Sequence, residues 1–206
     1  RQTMDDLFVE NFFAHFRTIA REFGSVVYTE GAAGEVLPGD ALRYYGVSDV
    51  PMTEFWYPGS GTPLGLDKKP VLAATSAAHL YDKKRVAAEA CTQGNFGWRE
   101  TPFTVRALID HHFALGVNHL VFHTFSHTPQ VEVYPGSSFG GTTGFPLVRN
   151  QTWWRHTPAW IDSLTRCQHM LQQGEYVADV LWYLGDELAR APYQTAPFPA
   201  GYRFDL

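Results

Sequence analysis

A chain of 206 residues can bury a sizeable core, and an apolar fraction of 45% beside 18% charged residues is the balance of a globular protein. A formal net charge of -5 argues against an electrostatic grip on nucleic acid or anionic lipid, no apolar run is long enough to cross a bilayer, and no basic amphipathic stretch suggests attachment to a membrane. A neutral partner fits this surface better. Cys91 and Cys167 are too few for a disulfide framework, and Cys91 sits in an apolar run that predicts a buried free thiol. Arg1 to Asp6 lack the pattern of a signal peptide, and both ends read as cuts through a longer chain.

From the amino terminus, Thr3 followed by Asp6 predicts a capping box. Phe8, Phe12, Phe16, Ile19 and Phe23 recur at helical spacing up to Gly24, which predicts an amphipathic helix with a glycine stop. Ser25 to Thr29 reads as a short strand ending at Glu30, before the small-residue loop Gly31-Ala32-Ala33-Gly34. The same phrase then repeats. Leu42 to Tyr45 leads into a second strand, Val50 to Glu54, followed by a Gly- and Pro-rich loop from Pro58 to Gly65. Val71 to Tyr81 predicts an alanine-rich helix and Arg85 to Glu89 a third strand. Thr101 caps a helix with Pro102 at its first position and Val105, Leu108, Ile109 and Phe113 on one side; Gly116 ends it before a fourth strand, His119 to His123. From Glu30 to Glu54 to Glu89 to His123 the intervals are 24, 35 and 34 positions, the spacing of successive strand-helix units in a parallel α/β fold.

The loop from Thr124 to Asn150 is longer than a simple connection and reads as the cover of a cleft. Trp153, Trp160, Leu164, Cys167 and Leu171 mark one more helix, closed by Gly174, and Val177 to Leu184 reads as a further strand. The polar and Pro-rich stretch after it suggests that residues 1–174 form one unit and 175–206 open the next.

In α/β barrels the working residues stand at the carboxyl ends of strands. Every predicted strand here ends in a titratable side chain, so Glu30, Glu54, Glu89 and His123 are expected around one mouth. A single strand-terminal glutamate is unremarkable, and a lone histidine there is more often structural. Three glutamates in succession, each after buried apolar residues, are harder to read as solvent-facing charges. Glycoside hydrolysis needs two such carboxyl groups, one protonated and one ionised, and crowding raises the pKa of at least one. Trp56, Tyr57 and Trp98 follow closely and offer flat faces to a sugar ring, while His123 and His127 are candidate hydroxyl donors or metal ligands. His111-His112 and Trp153 read as structural. The glycines at 31 and 34 lack the pattern of a dinucleotide site, so no organic cofactor is implied. A retaining, β-galactosidase-like barrel enzyme and a non-catalytic carbohydrate-binding unit are the competing readings.

Asp49-Val50-Pro51-Met52-Thr53-Glu54-Phe55-Trp56 resembles glycoside hydrolase family 106, the α-L-rhamnosidases and their relatives. Ser76 to His79, Val86 to Thr92, Gly116 to His127, Arg149 to Trp154 and Leu171 to Gly174 resemble the same family in the same order. The resemblance implies that the chain is the C-terminal half of a (β/α)8 barrel whose partner is the remainder of its own longer chain, secreted or periplasmic. It further implies an inverting enzyme that removes terminal α-L-rhamnose with two glutamates, with calcium at the site in some members. Glu89 matches the general base. The general acid is either Glu54 or a residue of an earlier strand upstream of Arg1; in the second case Glu54 binds sugar hydroxyls or calcium. Glu30, Trp56, Trp98, His123 and His127 complete the expected substrate-binding set. No loop spacing identifies metal ligands.

Overall fold

The computed structural model describes residues 2–31, 40–57, 68–130, 132–138, 143–183, 185 and 198–206. The predicted loops at Ala32 to Gly34 and Pro58 to Gly65, and most of the Pro-rich stretch after Leu184, lie outside the described residues. The chain opens on a continuous helical run of α1 (Gln2–Leu7), a π-helical stretch (Phe8–Ala14) and α2 (His15–Glu22). It continues through β1 (Tyr28–Glu30), α3 (Ala41–Gly46), β2 (Val50–Trp56), α4 (Lys68–Leu80), β3 (Ala87–Thr92), α5 (Pro102–Ala114) and β4 (His119–Phe122). The four strands lie in chain order in one parallel sheet. The repeated strand-helix phrase of the sequence is thus realised, as parallel pairing requires, by a crossover between each strand and the next.

Alternation along the strands separates two faces. Phe55, Ala88 and Ala90 point toward the helices, where they join Val71 of α4 and Val105, Leu108 and Ile109 of α5 in the main core. Val50, Met52 and Ala87 form a separate cluster on the opposite face, which also carries the glutamates. That second face is concave. Across a flat sheet β1 and β4 would stand about 14 Å apart, three strand spacings. The rings of Tyr28 and His119 nevertheless lie 5.8 Å apart, so the sheet curls toward the glutamate side.

Local signals explain the helix ends. The Thr101 hydroxyl accepts from the Thr104 backbone while the Thr104 hydroxyl accepts from the Thr101 backbone, with Pro102 in the first turn. The Asp40 carboxylate caps α3 by accepting from the backbone of Leu42 and Arg43. The box expected at Thr3 and Asp6 does not form: Thr3 lies inside α1, and the Asp6 carboxylate pairs with Arg43 of α3. A long-range cation outcompetes the local cap.

The apolar stripe of the first helix faces outward. Phe8, Phe12, Phe16, Ile19 and Phe23 are 42% to 81% exposed, and Phe16, Ile19 and Phe23 line an open groove with Val26 to Tyr28. The helix is held through its other sides, by Val9 and Phe13 and by Arg17 and Arg21 on the Asp49 carboxylate. The second half of the loop after β4 plugs the helix-side core. Phe145 and Val148 are fully buried, and Phe145 meets the rings of Phe122, Trp153 and Trp160.

Beyond the main helices come a short 3-10 turn (Trp154–His156), α6 (Thr157–Leu171), and the parallel pair β5 (Val180–Leu181) and β6 (Phe204–Asp205). The strand expected over Val177 to Leu184 is therefore confined to two described residues. Leu120 donates its backbone N–H to Gln168 of α6, and the carbonyl of Asn118, just before β4, accepts from Gln172 at the end of α6, so this helix covers part of the outer edge of the sheet. Residues past the sequence-derived boundary at 175 reach back to α4. Asp205 pairs with His79 at 2.8 Å, the Leu206 N–H donates to Ser76, and Tyr176 stacks on the His79 ring.

Candidate functional site

Glu30 closes β1, whereas Glu54 and Glu89 lie within β2 and β3, each followed by further strand residues. This moves two of the glutamates inward from the strand ends predicted for them. Glu54 and Glu89 are direct register partners, and Glu30 pairs with Met52, two residues before Glu54 and on its face. One carboxylate oxygen from each of the three lies within 4.8 Å of the others. All three are half-buried. His123, in the turn after β4, brings its Nδ1 to 3.5 Å from Glu89 Oε1. The four side chains expected at one mouth therefore meet on one concave surface.

Crowding has an electrostatic consequence. Burial, then the negative charges of Glu89 and Glu54, push the Glu30 carboxyl up to about 7. Glu30 is thus a carboxyl group able to hold or release a proton near neutrality. The strand end that carries it is supported from α3, where the Tyr44 hydroxyl donates to the Glu30 backbone carbonyl at 2.8 Å. Burial and then Glu30 raise the Tyr44 phenol to about 12, which keeps that donor protonated.

The remaining predicted residues are distributed less tightly. Trp56 stands two residues after Glu54 on the same face and is partly exposed, as a sugar-stacking ring would be. Trp98 belongs to the loop between β3 and α5, where it sits at φ 58 with its ring edge-on to Phe96. The buried Glu100 carboxylate accepts from the backbone of Gly97 and Arg99 on either side of it. His127 is exposed farther along the loop and makes no bond to the carboxylates. The structural readings of two other groups agree with their surroundings: His112 stacks on Phe55 at 3.9 Å, and Trp153 packs on the main core.

One residue at the site was not signalled by sequence. The Thr92 hydroxyl donates to Glu89 Oε1 at 2.5 Å, although residues three apart in a regular strand face opposite ways.

His123 is held by a backbone staple. Thr124 donates its N–H to the Phe145 carbonyl, Phe145 returns one to the His123 carbonyl, and Gly144 donates to the Gln93 carbonyl at 2.8 Å. Gly144 has φ 89, and a Cβ there would stand 2.9 Å from the His123 carbonyl oxygen. Gly144→Ala is expected to cost about 1–3 kcal/mol of stability through strain and displaced backbone, read as a lowered Tm. Unchanged stability would show that this staple is dispensable.

The arrangement also has counterparts among known proteins. A protein of Formosa agariphila named "Putative beta-glucuronidase" is 35% identical over 209 residues, an overlap covering 100% of this chain and 17% of that protein. A rhamnosidase from Novosphingobium sp. PP1Y, of solved structure, superposes with a TM-score of 0.88 at 30% identity, over 100% of this chain and 20% of its own. The chain thus spans about a fifth of the length of these relatives. The family described as alpha-L-rhamnosidase matches residues 1–206 from end to end. A whole-length family match, a close superposition and a parallel sheet carrying three glutamates on one concave face converge: the chain belongs to glycoside hydrolase family 106, the alpha-L-rhamnosidases.

Proposed function

We propose that the protein carrying this chain removes terminal α-L-rhamnose from glycans or glycosides by inversion, with Glu89 as the general base. The observation that carries this reading is the meeting of Glu30, Glu54 and Glu89 on three adjacent strands. Glu89 takes a proton from water as the water oxygen forms its bond to the anomeric carbon. The bond from that carbon to the leaving oxygen breaks, and a general acid protonates the departing oxygen. Inverting pairs stand roughly 6.5–9.5 Å apart to admit the water. Glu54 and Glu89 each bring one oxygen to within 4.8 Å of the other, closer than that range. This spacing favours an acid outside the trio, on another part of the longer chain, with Glu54 and Glu30 turned to binding.

Hard carboxylate oxygens of Glu30 and Glu54 within 4.8 Å of one another suit a calcium ion, since oxygens coordinated at about 2.3–2.6 Å stand no more than about 5.2 Å apart across it. Glu30 and Glu54 would hold the ion, leaving Glu89 to the water. Bound there, calcium supplies a positive charge that orients sugar hydroxyls. Calcium at about 100 times its Kd is expected to raise stability by about 2.7 kcal/mol in the full-length protein, and the gain is expected to vanish in Glu30→Gln/Glu54→Gln. An equal shift in both proteins would remove the trio from calcium binding.

A neutral rhamnose also suits the trio better than a uronic acid, whose carboxylate would face three glutamates. Turnover of an aryl α-L-rhamnoside by the full-length protein, with an aryl β-glucuronide as the competing substrate, tests the choice. Preference for the rhamnoside is expected; preference for the glucuronide would reject this substrate.

A further inference from the structure

We infer that Thr92 is a positioning residue for the proposed hydrolysis, carried onto the carboxylate face by a one-residue bulge at Cys91. The inference rests on the reading of Glu89 as the base. From Met52 opposite Ala87 to Phe55 opposite Ala90 the two strands stay in register, and then Trp56 pairs with Thr92, leaving Cys91 unmatched. Such bulges are rare in parallel pairs and gather beside active sites, where they re-aim a side chain.

In an unbroken strand, Cys91 would share the face of Glu89 and Thr92 would point to the helices. The reverse is found. Cys91 is fully buried in the helix-side core with Phe55, Ala90 and Ile109, and the Thr92 hydroxyl lies against Glu89. The inversion passes through Cys91 itself, whose φ of 64 is uncommon for a residue with a side chain. Regular pairing resumes at once, the Tyr57 N–H donating to the Thr92 carbonyl at 2.7 Å.

Two groups converge on a single oxygen of Glu89. Thr92 Oγ1 is 2.5 Å and His123 Nδ1 3.5 Å from Oε1. Among the described residues no hydrogen bond is made to Oε2. A carboxylate held through one oxygen presents the other in a fixed direction, which is what a base needs to align water for attack on a ring carbon. Thr92 is itself 2% exposed, so it reaches the substrate only through Glu89.

The test measures hydrolysis of an aryl α-L-rhamnoside by the full-length protein carrying Thr92→Val, Thr92→Ser, Glu89→Gln, or Glu89→Gln with Thr92→Val. Thermal unfolding of each variant verifies the fold, and Thr92→Ala replaces the valine variant should the latter not fold. Loss of the hydroxyl is expected to lower kcat about ten- to hundredfold with KM nearly unchanged, the scale of a hydrogen bond to a charged group. Serine is expected to restore most of the rate, and the valine change to add no further loss to the residual turnover of Glu89→Gln. An unchanged kcat in Thr92→Val, a serine variant as slow as the valine one, or an equal loss in the Glu89→Gln background overturns the inference. Wild-type turnover by Glu89→Gln itself would instead reject the base. Loss in Glu89→Gln with none in Thr92→Val would reject only the role of Thr92.

Discussion

Glu89→Gln is expected to lower kcat on an aryl α-L-rhamnoside by about 10²- to 10⁴-fold in the full-length protein, while KM changes little. Glutamine keeps the volume and can still accept from Thr92, so the positioning contact and the strand survive. It has no basic oxygen, so water is no longer deprotonated as it attacks. Glu89 is half-buried between Ala88 and Ala90, both fully enclosed, so the strand beneath it is well packed and the effect expected is chemical rather than conformational. A variant that loses binding but keeps kcat would make Glu89 a sugar-binding group. One that keeps both would match a non-catalytic carbohydrate-binding unit.

Glu30→Gln is expected to raise stability at alkaline pH. The Glu30 carboxyl titrates at about 7 in the folded protein against 4.5 for an ordinary glutamate, so the native state binds the proton more tightly than the unfolded state between those values. Its contribution to stability is fully present below pH 4.5 and is lost as pH rises through 7. Full conversion of that shift would approach about 3.4 kcal/mol, and screening at a half-exposed site reduces it to about 1–2 kcal/mol. With a chelator present, Glu30→Gln is therefore expected to raise Tm by a few degrees at alkaline pH and to leave it nearly unchanged in mild acid. A Tm lowered at alkaline pH would mean that the Glu30 carboxylate is paired favourably rather than repelled. Retaining a side chain that destabilises the fold is what a binding or catalytic role predicts.

Much of the site was legible in sequence because parallel strands repeat a simple phrase. An apolar strand-like run ending in a glutamate locates Glu30, Glu54 and Glu89 without coordinates, and the strand-helix interval predicts that they share one end of a sheet. The curl that brings Tyr28 to His119 has no local signature, because it depends on how successive strands twist. Thr92 was hidden for a related reason. Strict alternation assigns it to the helix side, and only the positive φ at Cys91, a residue not expected there, reverses the assignment.

The stripe from Phe8 to Phe23 shows a different limit. Periodicity identified a helix with an apolar side, but it cannot say which part of a chain meets that side. Thr3 and Asp6 mark a third. A local capping pattern is worth about 1 kcal/mol, and an arginine from α3 was available to take the carboxylate instead. The pairing of Val180–Leu181 with Phe204–Asp205 was likewise out of reach, since short strands far apart in sequence carry almost no pattern of their own.

The most direct measurement is the configuration of the first sugar released, followed by proton NMR as the full-length protein cleaves an α-L-rhamnoside. With Glu89 directing water and the acid standing outside the trio, the first product is β-L-rhamnose, which then mutarotates. If α-L-rhamnose appears first, the carboxylates within 4.8 Å of one another are themselves the reacting pair, and an inverting role for Glu89 is wrong.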